Sequence, residues 1–200
     1  MLKIIDDFAS DPDAVRQSAL ASGFGSWRPH QGDLGAPAYD GVNFVGDHAT
    51  LFGALYQKVG PILPSGMFFR ITNPAMEHAL IHSDREYGEN TAIVYLSPEP
   101  PRRSGTAFYK HRETGMIDMP ALADLKADPV FFQKIRQQML DADDADWEMY
   151  EFVEAKYNRC MVFDAPKIHC RIPKVGYGRS DADSRMVWVA HFNKVEPCSD

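Results

Sequence analysis

The feature that most constrains the fold is a long series of short, apolar, β-favouring runs between residues 66 and 192. Segments dense in proline and glycine, such as residues 98–105, separate these runs. Strands are predicted at 2–8, 67–72, 76–84, 90–97, 106–110, 147–157, 159–164 and 184–192. Short strands at this density are typical of an antiparallel sandwich or barrel.

Three helical regions flank or interrupt the strands. The first, over residues 10–21, begins with an aspartate and a proline that suit a helix start, and the second occupies 47–60. The third, 119–141, is predicted as two helices because Asp128-Pro129 interrupts it. Residues 26–46 are rich in glycine, proline and aspartate and predict an irregular connection. The predicted class is mainly β with flanking helices, an α+β arrangement.

Size and composition predict one globular domain. Two hundred residues suit a single domain over 1–200, with 1–65 as helical support and 66–193 as the β core that carries the 119–141 insertion. The net charge of −7 argues against nucleic acid as a partner. The sequence has no apolar run long enough for a membrane span and no signal-peptide pattern at its start. Three widely spaced cysteines suit a reducing compartment, so we expect a cytoplasmic protein.

A histidine and an aspartate two residues apart mark the candidate site. His82 and Asp84 end a strand-like run, and a strand's period of two would place both side chains on one face. A second histidine from elsewhere would complete a set of two imidazoles and one carboxylate. His169, just after another strand-like run, is the far candidate. Such a set suits Fe(II), because three protein ligands leave coordination positions open. The alternative reading of His82 and Asp84 is an exposed pair after a strand.

Several short motifs occur in a distinctive order along the chain. The motifs are His82-x-Asp84, Thr91-Ala-Ile-Val-Tyr-Leu-Ser97, Ser104-Gly-Thr-Ala-Phe108, Asn158-Arg-Cys-Met-Val-Phe163, His169 and Arg185-Met-Val-Trp-Val-Ala-His-Phe192. In this order they resemble the Fe(II)/2-oxoglutarate-dependent dioxygenases, in particular the prolyl-4-hydroxylase-like branch, over residues 66–193. Residues 6–16 also resemble the opening of an uncharacterised bacterial group within that superfamily.

The resemblance implies a fold, a ligand set and a reaction. The implied fold is a double-stranded β-helix, also called a jelly roll, and the implied iron ligands are His82, Asp84 and His169. The implied cosubstrates are 2-oxoglutarate and O₂. The implied reaction hydroxylates an unactivated C–H bond and releases succinate and CO₂. A non-catalytic, cupin-like jelly roll that binds a metal or a ligand is the alternative function.

Two arginines compete as the partner of the distal carboxylate of 2-oxoglutarate, which the family binds with a basic residue. Arg185 is favoured because it opens the last strand, whereas Arg179 has the spacing to the distal histidine that is common in the family. A planar guanidinium can bond both carboxylate oxygens at once. Tyr95 matches the family tyrosine that reaches the same carboxylate, with an ordinary core tyrosine as the alternative. His191 and Arg159 are candidates for the substrate side.

A zinc hydrolase is a rival reading of the same segment. His78 and His82 have the spacing of two ligands on one helix face. However, Ala79 stands where such sites carry a glutamate general base, and the segment is predicted as a strand.

The substrate class is open between amino acids, peptides and small metabolites. Selectivity is predicted to lie in segments 26–46, 98–104, 112–146 and 171–184, because loops on a rigid scaffold commonly carry it. Four further arginines either meet an acidic substrate or are simply solvated: Arg85, Arg103, Arg112 and Arg171.

Overall fold

The computed structural model describes residues 1–27 and 39–195. Within these ranges the α-helices are α1 Pro12–Ser22, α2 His48–Val59, α3 Leu122–Ala127 and α4 Pro129–Asp141. The strands there are β1 Leu2–Ile5, β2 Gly25–Trp27, β3 Tyr39–Asn43, β4 Ile62–Thr72, β5 Asn90–Tyr95, β6 Gly105–His111, β7 Trp147–Glu154, β8 Cys160–Asp164, β9 His169–Ile172 and β10 Arg185–Lys194. A 3₁₀ turn, Arg85–Tyr87, lies between β4 and β5. The chain is therefore mostly β with a few helices, as predicted.

The strands form two antiparallel sheets. The larger sheet has the order β1-β8-β5-β10-β4-β3-β2, and the smaller has the order β7-β6-β9. Buried side chains from both sheets form one cluster between them, including Ile93 of β5, Phe108 of β6 and Val189 of β10. The two sheets therefore face each other across a shared core.

Helices cover the outer faces of both sheets. Leu51 and Leu55 of α2 share a buried cluster with Trp188 of the larger sheet. Ile135 of α4 shares another with Tyr109 of the smaller sheet. Because helices and the second sheet cover it on both faces, β5 is buried at every residue, which accounts for its continuous apolar run.

The helices begin at the predicted signals. Asp11 and Asp47 cap α1 and α2, and each side chain accepts a hydrogen bond from the backbone N–H three residues on. Asp128 ends α3 and caps α4, which begins at Pro129. The two-piece helical insertion is thus confirmed. No helix in the described ranges is long and apolar enough to cross a membrane.

Residues 76–84 do not form the strand that the sequence predicts. A regular ladder needs consecutive bonds to one partner strand, and this segment bonds to several different ones. Only His82 keeps a β-bridge, to His169. The backbone N–H groups of residues 79, 81, 82 and 84 donate to the carbonyl oxygens of residues 174, 139, 169 and 165, respectively.

Two segments predicted as irregular contribute strands. Within 26–46 the structure has β3 and the end of β2, while residues 28–38 lie outside the described ranges. The loop predicted over 171–184 begins inside β9. In β9 the polar residues His169 and Arg171 face the space between the sheets, whereas Cys170 packs toward the helical insertion. Sequence patterns are normally interpreted with the polar residues on the solvent face. In β9 the polar residues face inward, so the sequence did not predict this strand.

Candidate metal centre and its cavity

His82, Asp84 and His169 come together although 85 residues of sequence separate Asp84 from His169. His82 N–H donates to the His169 carbonyl at 3.0 Å, and His169 N–H donates to the His82 carbonyl at 2.8 Å. Residues paired directly across an antiparallel bridge project their side chains on the same face. The two ring centroids are accordingly 4.4 Å apart. One ligand atom from each of the three residues lies within 4.8 Å of the others.

Backbone carbonyls fix the tautomers of both imidazoles. His82 Nδ1 lies 2.9 Å from the Leu80 oxygen, and His169 Nδ1 lies 2.9 Å from the Lys167 oxygen. A carbonyl oxygen only accepts, so each Nδ1 carries a proton and each Nε2 keeps a free lone pair. The Nε2 atoms lie 3.8 Å and 3.5 Å from the carboxylate oxygens of Asp84. Two oriented nitrogen donors and one carboxylate therefore converge.

This donor set fits a divalent metal ion. Ligand atoms about 2.1 Å from a common ion lie roughly 3 Å apart when they bind at right angles, and the nitrogen-to-oxygen separations of 3.8 Å and 3.5 Å are 0.5 to 0.8 Å longer than this. Burial, with help from the nearby His169, lowers the pKa of His82 to about 4. Its imidazole is neutral at pH 7, so no proton has to leave before a metal binds. Imidazole and carboxylate ligands without a thiolate suit a non-haem iron.

Thr91 and His191 hold the carboxylate of Asp84. The Thr91 hydroxyl donates to Asp84 Oδ2 at 2.9 Å and lies 3.2 Å from His191 Nδ1. Because the single hydroxyl proton goes to Asp84, Thr91 accepts from a protonated Nδ1 of His191. Burial alone would raise the pKa of Asp84, but His169, His191 and His82 together outweigh burial and lower it. The carboxylate is thus ionised and held in one orientation.

A cavity of about 340 Å³ opens beside these residues, between the two sheets. Its walls are mainly apolar, with a few charged groups, as is typical of small-ligand sites. The aromatic lining residues are Trp27, Tyr39, Phe44, Phe68 and Tyr87, and the arginines are Arg70, Arg171 and Arg185.

Arg185 lies in this cavity. It begins β10, faces the same side as Val187 and His191, and is only 5% exposed. Its Nε has no hydrogen-bond partner in the described ranges, and no carboxylate among those residues forms an ion pair with it. Burial lowers its pKa below the usual arginine range. A buried cation without a counter-ion is unfavourable, so this position favours an anionic ligand.

Neither Arg179 nor Arg159 reaches the cavity. Arg179 is exposed in the loop before β10, where its backbone N–H donates to Asp183. The Arg159 guanidinium binds both carboxylate oxygens of Asp6, at 2.6 Å and 3.1 Å, and the Glu154 carbonyl at 2.9 Å. Arg159 therefore fastens the residues after β1, in place of the substrate-side position that the sequence predicts.

Replacing Arg159 by alanine is expected to cost about 1 kcal/mol of unfolding free energy, because this bidentate pair is partly exposed, and to leave metal affinity unchanged. Arg159, with Lys156, holds the pKa of Asp6 well below its usual range. Because the pKa of Asp6 is lower in the folded state, ionised Asp6 stabilises the fold at pH values above its unfolded pKa of about 3.9. This stabilisation is lost as the pH falls and the carboxylate is protonated. In urea unfolding, the gap between variant and wild type should shrink below about pH 4. Reduced metal affinity with unchanged stability would contradict this, and Arg102→Ala, at an exposed position, is the control.

Tyr95 connects to the cavity through a neighbour. Its hydroxyl donates to Thr106 Oγ1 at 2.8 Å, and burial raises its pKa to about 12. Thr106 itself lines the cavity. The contact of Tyr95 with a cosubstrate stays a prediction.

The rival zinc reading loses its geometric basis. Residues 78–82 are not helical, so His78 and His82 do not share one helix face.

Sequence reasoning also missed Arg70 and the aromatic lining. Phe68, Arg70 and Thr72 alternate along β4 into the cavity. A charged residue within a strand usually marks the solvent face, so the alternation alone points the wrong way. The signal that was available is the apolar character of the residues on either side of Arg70.

Comparison with known proteins gives a family. The model of the family of unknown function DUF6445 matches residues 70–182, which is more than half of the chain. The chain belongs to this family. Comparison with curated protein sequences finds no match.

Two solved structures share the fold of this DUF6445 chain. AviO1 from Streptomyces viridochromogenes Tue57 aligns with a TM-score of 0.52 and 14% identity, covering 100% of this chain and 91% of that one. SnoK, a non-heme alpha-ketoglutarate-dependent carbocyclase from nogalamycin biosynthesis, aligns with a TM-score of 0.50 and 15% identity, covering 96% and 78%. At such identities the likeness concerns the fold alone, which is mostly β in this chain.

Proposed function

We propose that this DUF6445 chain is an Fe(II)- and 2-oxoglutarate-dependent oxygenase that hydroxylates an unactivated C–H bond. The observation that carries the proposal is the convergence of two imidazoles with fixed tautomers and one ionised carboxylate beside a cavity. The fold that the chain shares with SnoK supports it. An amino acid, a peptide or a small metabolite is the proposed substrate, and the cytoplasm is the proposed location.

We infer further that the two sheets are the halves of a double-stranded β-helix. The bridge between His82 and His169 places the segment around His82 beside β9, at the edge of the smaller sheet. That sheet then has four members, facing β8-β5-β10-β4 of the larger one. Two four-stranded antiparallel sheets face to face make a jelly roll. The order of the short motifs supports the prolyl-4-hydroxylase-like branch, in a single domain.

In this proposal His82, Asp84 and His169 hold the Fe(II). The metal, when bound together with 2-oxoglutarate and O₂, supplies the oxidising chemistry. Arg185 binds the distal carboxylate of 2-oxoglutarate. This carboxylate supplies the counter-ion that the buried guanidinium lacks. Tyr95 supports that end of the cavity through its bond to Thr106.

The remaining residues orient the ligands. The carbonyls of Leu80 and Lys167 set the direction of each Nε2. Thr91 and His191 hold Asp84, and the His191 ring stacks on Tyr87 with centroids 5.0 Å apart. His191 lines the cavity and is proposed to face the substrate.

The test is uncoupled turnover of 2-oxoglutarate by the Fe(II)-loaded protein in air. We expect slow formation of succinate that stops when a chelator removes the iron. The alternative, a non-catalytic cupin-like binding protein, predicts no succinate above the metal-free control. Succinate release can then be used to screen amino acids, peptides and metabolites for those that accelerate it.

A further inference from the structure

The other two arginines of the cavity share one acid. Arg70 of β4 forms an ion pair with Glu77, and Arg171 of β9 lies 3.9 Å from the same carboxylate oxygen. Arg171 also donates to the Glu77 backbone carbonyl at 2.6 Å. These contacts connect the larger sheet to the smaller one.

This pair has unused bonding capacity. The Nε atoms of Arg70 and Arg171 are both buried, and neither has a hydrogen-bond partner in the part of the chain that the structure describes. Arg171 is only 8% exposed, and burial, together with Arg70 and Arg185, lowers its pKa to about 10. Two guanidinium groups carry ten N–H donors, more than one carboxylate and one carbonyl can accept. Because both Nε atoms are covered, a further anion would complete the arrangement by bonding to the terminal N–H groups.

The formal charges call for one more negative charge. If the proposed function holds, the charges of Fe(II) and Arg185 balance those of Asp84 and a bound 2-oxoglutarate dianion. Arg70 and Arg171 together then exceed Glu77 by one positive charge. Leaving a charge buried and unbalanced is costly, so a monoanionic group on the substrate fits the remaining excess.

Aromatic side chains link the arginine pair to the metal centre. The guanidinium of Arg70 lies 4.6 Å from the centroid of the Tyr39 ring. Along this wall each ring lies near the next: Tyr39 to Trp27 at 6.0 Å, Trp27 to Phe44 at 6.0 Å, Phe44 to Phe68 at 6.1 Å and Phe68 to His191 at 6.0 Å. An apolar body lying along this wall would connect an acid group at one end to the metal at the other.

We propose that the substrate is a monocarboxylate with an apolar, ring-sized body, and that Arg70 and Arg171 bind its carboxylate. This rests on the proposed function for the reaction and for the charge balance, whereas the contacts of Arg70 and Arg171 do not depend on it. Arg171 was one of four arginines that sequence alone left between substrate contact and solvation. Of the other three, Arg112 is exposed and pairs with Glu148, Arg103 is exposed, and Arg85 is exposed and donates to the Met119 carbonyl at 3.2 Å.

The test compares matched neutral and charged probes by calorimetry on protein loaded with Mn(II) and 2-oxoglutarate. The probes are benzoate, phenylacetate, 3-phenylpropionate and indole-3-propionate, each beside its uncharged amide. We expect at least one carboxylate to bind tenfold or more tightly than its amide. Equal binding within every pair, or no binding of any probe, would overturn the proposal.

Variants identify which residues carry the preference. Arg70→Gln and Arg171→Gln should reduce it to threefold or less, while affinity for 2-oxoglutarate changes less than threefold. Glu77→Gln removes the competing acid and should tighten carboxylate binding severalfold, a gain that damage to the fold would not produce. Arg112→Gln is the matched control. Loss of 2-oxoglutarate affinity in Arg70→Gln or Arg171→Gln would instead assign the two arginines to the cosubstrate. Unchanged or weaker carboxylate binding in Glu77→Gln would also contradict the proposal.

Separate titrations with Mn(II) and 2-oxoglutarate distinguish this inference from the proposed function. If they bind but the carboxylate preference is absent, the anion site fails and the oxygenase proposal stands. If they do not bind but the preference persists, the oxygenase proposal fails and the anion site stands.

Discussion

Replacing His82 or His169 by alanine is expected to abolish iron-dependent succinate formation and to weaken metal affinity by more than about 100-fold, because loss of outer hydrogen-bond partners alone costs 10–100-fold. Each variant removes one of two Nε2 donors whose orientation a backbone carbonyl fixes. Titration with Mn(II), followed by electron paramagnetic resonance, measures the affinity, and succinate assays measure the turnover.

His78→Ala provides the matched control for those variants. His78 is exposed and lies four residues before His82, so it tests whether any nearby histidine affects metal binding. Substrate-free turnover and Mn(II) affinity should stay near the wild-type values. Retention of metal affinity in both His82→Ala and His169→Ala, or its loss in His78→Ala, would contradict the assignment of the ligands.

Replacing Arg185 by glutamine is expected to raise the 2-oxoglutarate concentration for half-maximal turnover by about 100-fold, since truncating one partner of a buried charged pair costs 2–5 kcal/mol. The guanidinium is 5% exposed and has no carboxylate partner among the described residues, so it is available to an anionic ligand. Succinate formation at a series of 2-oxoglutarate concentrations gives the value.

Arg179→Gln is the control for Arg185→Gln, because Arg179 is exposed outside the cavity. Its 2-oxoglutarate requirement should stay within twofold of the wild type. Equal effects of the two substitutions, or a larger effect at Arg179, would overturn the choice of Arg185. Tyr95→Phe should have a smaller effect than Arg185→Gln, since the Tyr95 hydroxyl bonds to Thr106.

The helices and the central strands follow from local chemistry and could be predicted. Asp11, Asp47 and Asp128 each cap a helix at the expected position. The apolar run at 90–95 forms β5, which is buried on both faces. These features depend on neighbours in sequence, which a single chain records directly.

The sequence identified the metal-site candidates, but the structure brings them together in a different way from the one predicted. The prediction placed His82 and Asp84 on one face of a strand, but residues 76–84 bond to several partners. The side chains are positioned by the bridge to His169 and by the bond from Thr91 to Asp84. Both contacts join residues distant in sequence, so spacing alone could not supply them.

The cavity residues were hardest to predict because their burial depends on tertiary packing. Arg171 in β9 and Arg70 in β4 occupy strand positions where a charge ordinarily faces water. Only the pairing of the two sheets encloses them together with Glu77. Arg159 is the opposite case. Its position before a core strand made it a candidate for the substrate side, but its guanidinium pairs with Asp6 outside the cavity.

Anomalous diffraction at the manganese absorption edge, from crystals grown with Mn(II) and 2-oxoglutarate, tests the central claim most directly. We predict one strong peak bonded by His82 Nε2, His169 Nε2 and a carboxylate oxygen of Asp84. A peak at other residues, or none beside these three when their side chains are well ordered, would contradict it.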